Sequence, residues 1–290
     1  MKVEVSQMSD YKISFKVDGR IVPEKEILEM ELSRYHQVFH IFDKKNIPIH
    51  LDEQEVSLNE LLQLPLDQAK IALAQTREAL GKERTLELFA SEIERGDAMW
   101  HEIAGSSEAG VNMQTAYVEV ETENITLEQF MMFNQHLMKE NNLYLPSTIH
   151  PEHYYFDANS KGEQIIVETF GMYKDPSYLD LKPGSKADYP VRPAQDVDLV
   201  MAGKTYLAND HSDTKMLGMH QLSKTDNGMK VKLGVFLPEN APKEIAEGHK
   251  WHLMVEFNNG LHIAAQQHPN FFQKKVMDVA LNRIKKQQEE

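Results

Sequence analysis

The sequence contains no cysteine. That excludes disulfides, thiolate catalysis and cysteine-based zinc sites. It also lacks an apolar run near the roughly 20 residues that a membrane-spanning helix needs. Its opening, MKVEVSQMSDYKISF, has no apolar core of the secretory kind. The expected location is cytoplasmic. Positive charge is scarce as well: 31 Lys and Arg stand against 45 Asp and Glu, a formal net charge of −14. Nucleic acid and anionic membrane surfaces are bound through basic patches. The densest basic stretches here, Lys274–Lys275 and Lys285–Lys286, are short and read as solvated helix faces. Neither nucleic acid nor membrane is expected as a partner. No repeat and no long low-complexity segment is present.

What remains is an ordinary globular composition, 41% hydrophobic and 26% charged. The length suits one large domain or two small ones. YKISFKVDGRIV reads as a hairpin with DG at its turn. EKEILEMELSRYHQVFHIFD, SLNELLQLPLDQAKIALAQTREAL and ERTLELFASEIERGDAMWHEIA have helical apolar spacing, with Pro65 breaking the second. Residues 1–105 are therefore expected to be mostly helical, and AGSSEAG marks the junction. Residues 106–290 read as α+β. VNMQTAYVEVETENI alternates as a strand, and Thr126 with Gln129 opens a helix as a capping box. Strands are expected over HPEHYYFDA and GEQIIVETFGMY, and a hairpin with DNG at its turn. A long helix follows Pro242, disturbed at Asn259–Gly260, and an amphipathic helix ends the chain.

The chemistry concentrates in GHKWHLMVEFNN. At about 100° per residue, His249, His252 and Glu256 share one helix face. Trp251, Met254, Val255 and Phe257 around them predict burial. A buried carboxylate needs a partner, which a cation or a protonated histidine supplies. IHPEHYYFD offers His150, Glu152 and His153 as a second half. As a regular strand it would turn His153 and Tyr155 one way and Glu152 and Tyr154 the other. Glu168, among apolar neighbours in EQIIVETF, needs a partner for the same reason. Two histidines with two carboxylates suit Zn2+, with Mn2+ or Fe2+ less favoured. A metal with an open position polarises a carbonyl or activates water. His220, in LGMHQLSK, is a candidate catalytic acid or base, and a structural role is equally open.

In order along the chain, AYVEVETENITLEQFMMFNQH, HPEHYY, VETFG, MHQLSKTDNGMKVKLGVFL and HLMVEFNNGLHIAAQQHP resemble the phloretin hydrolase and diacetylphloroglucinol hydrolase family. The resemblance runs from about Gly110 to Phe272. It implies a helix-grip, Bet v 1-like domain, a curved antiparallel sheet around a long C-terminal helix, behind a smaller N-terminal region. It also implies hydrolysis of a carbon–carbon bond between an acyl group and a phenol ring by a metal-dependent enzyme. Carried over residue by residue, it implies His153, Glu168, His252 and Glu256 as ligands of a metal, zinc by the donor set.

The chain departs from the family in several places. Met131 and Met132 stand where the family has paired tryptophans. The HPEH spacing is one residue shorter, which keeps His150 as a competitor of His153. The separation of His153 from Glu168 is also short. Tyr144, Tyr155 and Tyr173 are candidates for holding the phenol.

The leading expectation is a small aromatic, phenolic ketone as substrate. The rivals are a non-catalytic carrier of hydrophobic ligands on the same fold and a metal-dependent hydrolase of another ester or ketone. For the N-terminal helices, a homodimer interface, a cavity lid and neither of these stay open.

Overall fold

The computed structural model describes residues 10–289; the first nine residues of the opening stretch lie outside the described residues, as do the side chains of Lys285–Lys286. Strands β1 (Lys12–Val17) and β2 (Arg20–Val22) meet at Asp18–Gly19. Both turn residues have positive φ, 49° and 82°, as the tightest hairpin turn demands. Helix α1 (Glu24–Lys44) follows and buries Ile27, Tyr35, Val38 and Phe42. A ribbon of β3 (His50–Leu51) and β4 (Gln54–Glu55) leads to α2 (Leu58–Leu61). Pro65, fixed in an extended conformation, separates α2 from α3 (Leu66–Leu88), and α4 (Ala90–Ser106) comes next.

Alternation in QTAYVEVETE makes β5 (Gln114–Glu123), with Ala116, Val118, Val120 and Thr122 buried. Thr126 and Gln129 then cap α5 (Leu127–Leu137) reciprocally, at 2.9 and 3.4 Å. After α6 (Tyr144–Ile149) come β6 (His153–Ala158), β7 (Gln164–Glu168), β8 (Ser177–Pro183), β9 (Leu199–Leu207), β10 (Asp213–Thr225) and β11 (Gly228–Leu237). Pro242 precedes α7 (Lys243–Ala265), and α8 (Phe271–Glu289) ends the chain.

Nine strands form one antiparallel sheet in the order β2-β1-β5-β11-β10-β9-β8-β7-β6. The α+β class stands, but the helix-grip, Bet v 1-like arrangement does not. The long helix α7 is not C-terminal, because α8 follows it. Nor does the sheet wrap around one helix. Helix α7 lies against β5, β1 and β11, α3 against β6, and α4 against β8 and β10. The eight helices of the described residues share the covering, because three long apolar stripes in the first hundred residues also need a partner surface. Two large apolar clusters result. One lies where α5 and α7 meet the sheet, the other between the N-terminal helices and β6–β8.

One further reading is corrected. Helix α7 runs unbroken through Asn259–Gly260. Gly260 is small there because a Cβ would lie 2.8 Å from the Phe133 ring. The N-terminal hairpin joins the main sheet, since β1 pairs with β5. Among the described residues, no helix is long and apolar enough to cross a membrane.

Candidate metal centre

The site begins with a fault in a strand. Strand β6 pairs with β7, but the register shifts between His153 and Tyr155. A bulge of this kind inserts one residue and re-aims its neighbours. His153 and Phe156 therefore face the cavity described below, whereas Tyr154 and Tyr155 both join the core under the N-terminal helices. The regular alternation that put His153 and Tyr155 on one face is corrected by this bulge. His153 now stands directly across the ladder from Glu168, so their short separation in sequence is the separation of hairpin partners.

Helix α7 brings the other half. Phe170–Met172, a single 3-10 turn after β7, packs onto α7. The approach is close: a Cβ on Gly248 would lie 1.8 Å from the Gly171 carbonyl oxygen, and Gly171 itself has φ 62°. Only glycine satisfies both positions. This contact sets the end of β7, and Glu168 with it, beside the face of α7 that carries His252.

The donor atoms converge. His153 Nε2 lies 3.3 Å from His252 Nε2 and 3.4 Å from Glu168 Oε2. His252 Nε2 lies 3.6 Å from Glu168 Oε2 and 3.9 Å from Glu256 Oε2. A tetrahedral zinc site with bonds of about 2.0–2.1 Å has donor–donor edges of about 3.3–3.4 Å. His150 joins the group: donor atoms of His150, His153 and His252 all lie within 4.8 Å of one another, and the three can hold a metal ion.

Hydrogen bonds distinguish the rings. His153 Nδ1 donates to the Pro146 carbonyl at 3.2 Å, which leaves Nε2 with its lone pair towards the cluster. His150 is the reverse. Its Nδ1 accepts from the Glu152 N–H at 3.1 Å, so Nε2 carries the proton, and that atom has no partner. His252 is oriented by stacking instead. His150 lies on it at 3.8 Å and His249 at 4.9 Å, while its Nδ1 is unpaired.

Burial pushes His252 and His150 well below the usual histidine range and His249 down to about 3. Such rings stay neutral and keep a lone pair to offer. His153 differs. Burial alone would lower it, but Glu168, Glu256 and the Pro146 carbonyl together raise it. Burial raises Glu256, against the pull of His153.

The cluster forms one wall of a cavity of about 440 Å³ between α5, α7 and the sheet. Phe130, Phe133, Ile166, Met216 and Phe257 supply much of the apolar lining. His220 lines it too. Its Nδ1 accepts from the Gly234 N–H at 3.3 Å, so Nε2 carries the proton, and burial lowers it to about 4. His249 lines the cavity and stacks on Phe170 at 4.3 Å.

The structure therefore brings together His153, Glu168, His252 and Glu256, with His150 and His249 stacked beside them. Tyr144, Tyr155 and Tyr173 are not among the lining residues. Sequence reasoning missed the glycine pair and the arginines behind His153, taken up below. Gly248, beside His249 in a helical stretch, was the visible signal for the first.

Compared with known proteins, the chain matches no protein-family model and no curated protein.

Proposed function

We propose that the chain is a metal-dependent hydrolase, with Zn2+ held by His153, Glu168, His252 and Glu256, that cleaves the carbon–carbon bond joining an acyl group to a phenol ring. One observation carries the metal: four donors from β6, β7 and α7 stand at 3.3 to 3.9 Å from their neighbours, on the wall of an apolar cavity. The separations of His153 from His252 and from Glu168, 3.3 and 3.4 Å, match tetrahedral edges, and two imidazoles with two carboxylates suit zinc. His150 is the weaker candidate ligand, because its Nε2 already carries the proton. The acylated phenol rests on the order of motifs along the chain and on the aromatic lining of the cavity.

Bound there, the metal supplies Lewis acidity towards a carbonyl oxygen and acidifies a water molecule. The chain does the rest. Phe130 and Phe257, stacked 5.9 Å apart, offer flat apolar surface to a ring. His220, held as a neutral Nε2–H donor, hydrogen-bonds a substrate oxygen on which negative charge develops. In the overall reaction the acyl carbon gains the oxygen of water and becomes a carboxylic acid. The ring carbon keeps the bonding electrons and takes one proton.

Metal analysis of the protein purified without chelator, with turnover of an acyl-phloroglucinol and of a phenyl ester, tests this. Stoichiometric zinc and release of the deacylated phenol are expected. His220→Gln should then lower kcat about 100-fold while zinc content stays unchanged. A metal-free wild type that neither takes up zinc nor turns over the ketone overturns the reading. Zinc with ester hydrolysis alone overturns its substrate half.

A further inference from the structure

Three consecutive carbonyls lead into His153, and each accepts from a buried side chain. Ile149 O accepts from Asn259 Nδ2 at 2.9 Å. His150 O and Pro151 O both accept from the guanidinium of Arg77, the first at 3.4 Å. Glu152, the next residue, pairs with Arg34. Asn259 is itself held by Glu31 at 2.7 Å and Lys70 at 2.6 Å, and these two pair at 3.0 Å. Apart from Asn259 every one of these partners comes from α1 or α3, some 70 to 120 residues earlier in the chain. Glu31, Arg77 and Glu152 are fully buried.

Charges placed this deep carry a desolvation cost that apolar packing would avoid. They give in return a defined geometry. A guanidinium fork reads two carbonyls or one carboxylate in a single orientation. Here the object so fixed is the four-residue turn that ends at His153.

We infer that Arg34 and Arg77 are positioning residues of the metal centre: the N-terminal helices hold the 149–152 turn and thereby aim His153 at the shared ion. The inference rests on the proposed metal reading of the site. It gives these helices a role that neither a dimer interface nor a lid requires. Groups behind a ligand typically change metal affinity about 10- to 100-fold when removed.

Cobalt(II) is the probe, since its visible bands report ligand geometry directly. Wild type, Arg34→Met, Arg34→Lys and Arg34→Met with Glu152→Gln are titrated with cobalt, and thermal melts are recorded in parallel. Arg34→Met is expected to weaken cobalt binding about 10- to 100-fold and to alter the visible bands. Arg34→Lys, which keeps the charge and loses the fork, should fall between. The double variant should bind no worse than Arg34→Met, because both side chains act through one turn. If Arg34→Met does not fold, the lysine variant decides. Folded Arg34 variants with wild-type affinity and spectrum overturn the inference and leave the metal reading standing. A wild type that binds neither cobalt nor zinc overturns both.

Discussion

His153 and Glu168 face each other across the β6–β7 ladder, in register at Cα and 3.4 Å apart between Nε2 and Oε2. Half of the candidate centre is thus one local hairpin. The other half, His252 and Glu256, is one turn of α7. Two short pieces, each simple in itself, meet where glycine removes the barrier between them.

Removing one of the proposed helix ligands should abolish tight binding. His252→Ala and Glu256→Ala are each expected to weaken zinc by more than about 100-fold, beyond the range of groups that only support a ligand. A competition titration against a chromophoric chelator reads this. Zinc in excess should also raise the melting temperature of the wild type, by the equivalent of about 2.7 kcal/mol at 100 times Kd. The His252→Ala melt should not move. A zinc-induced rise that survives both substitutions would place the ion elsewhere.

Gly248→Ala tests the close approach. The added methyl would lie 1.8 Å from Gly171 O, so the turn after β7 or the helix must shift. A destabilisation of about 1–3 kcal/mol is expected from overpacking. Cobalt bands should change as well, since Glu168 moves with the turn. Unaltered stability and spectrum would show that the contact does not set the ligand geometry.

The metal-free protein should lose stability in mild acid. Burial holds His220 down to about 4 and His249 down to about 3, while an unfolded chain titrates near the ordinary value of about 6.5. Between about pH 6.5 and 4 the unfolded state binds protons that the folded state refuses, so stability falls as pH drops. Each ring contributes up to about 1.4 kcal/mol per pH unit in that window. His153 acts in the opposite sense: its folded value is raised, so its contribution is full below about 6.5 and fades as pH climbs through that raised value. Melts in chelator from pH 7.5 to 5 should slope downward, and His220→Gln should flatten the slope. A level profile refutes the neutral, buried state of these rings.

Phe257 tests the aromatic wall. It stacks with Phe130 and meets His220 edge to face at 5.7 Å. Phe257→Ala is expected to raise KM for an aromatic ketone about tenfold or more, with a smaller effect on kcat. An unchanged KM would put the ring elsewhere in the cavity.

Much of this was legible from residue order. The DG turn, the Thr126–Gln129 cap, Pro65, Pro242 and the His252–Glu256 face all follow from local rules, and the structure has them. The bulge at Tyr154 was not, because a bulge is an exception to alternation that the strand's own residues do not announce. The layered covering of the sheet was missed because amphipathic stripes say that a helix is buried and not against what. Arg34 illustrates the intermediate case. With Ile27, Glu31, Val38 and Phe42 it recurs at helical spacing, which marks a charged residue on an apolar face. Its partner, Glu152, is 118 positions away, beyond the reach of any local pattern.

The distribution of the proposed ligands along the chain has a consequence for biosynthesis. His153 and Glu168 leave the ribosome long before His252 and Glu256, and α7 cannot dock until the sheet behind it exists. Between the emergence of Glu168 and that of His252, the nascent chain would offer a cation only half of the proposed ligand set. On the proposed ligand set, capture of an ion would wait until α7 docks. A nascent chain stalled before α7 would be expected to leave zinc free in solution, whereas one released at full length would be expected to take it up.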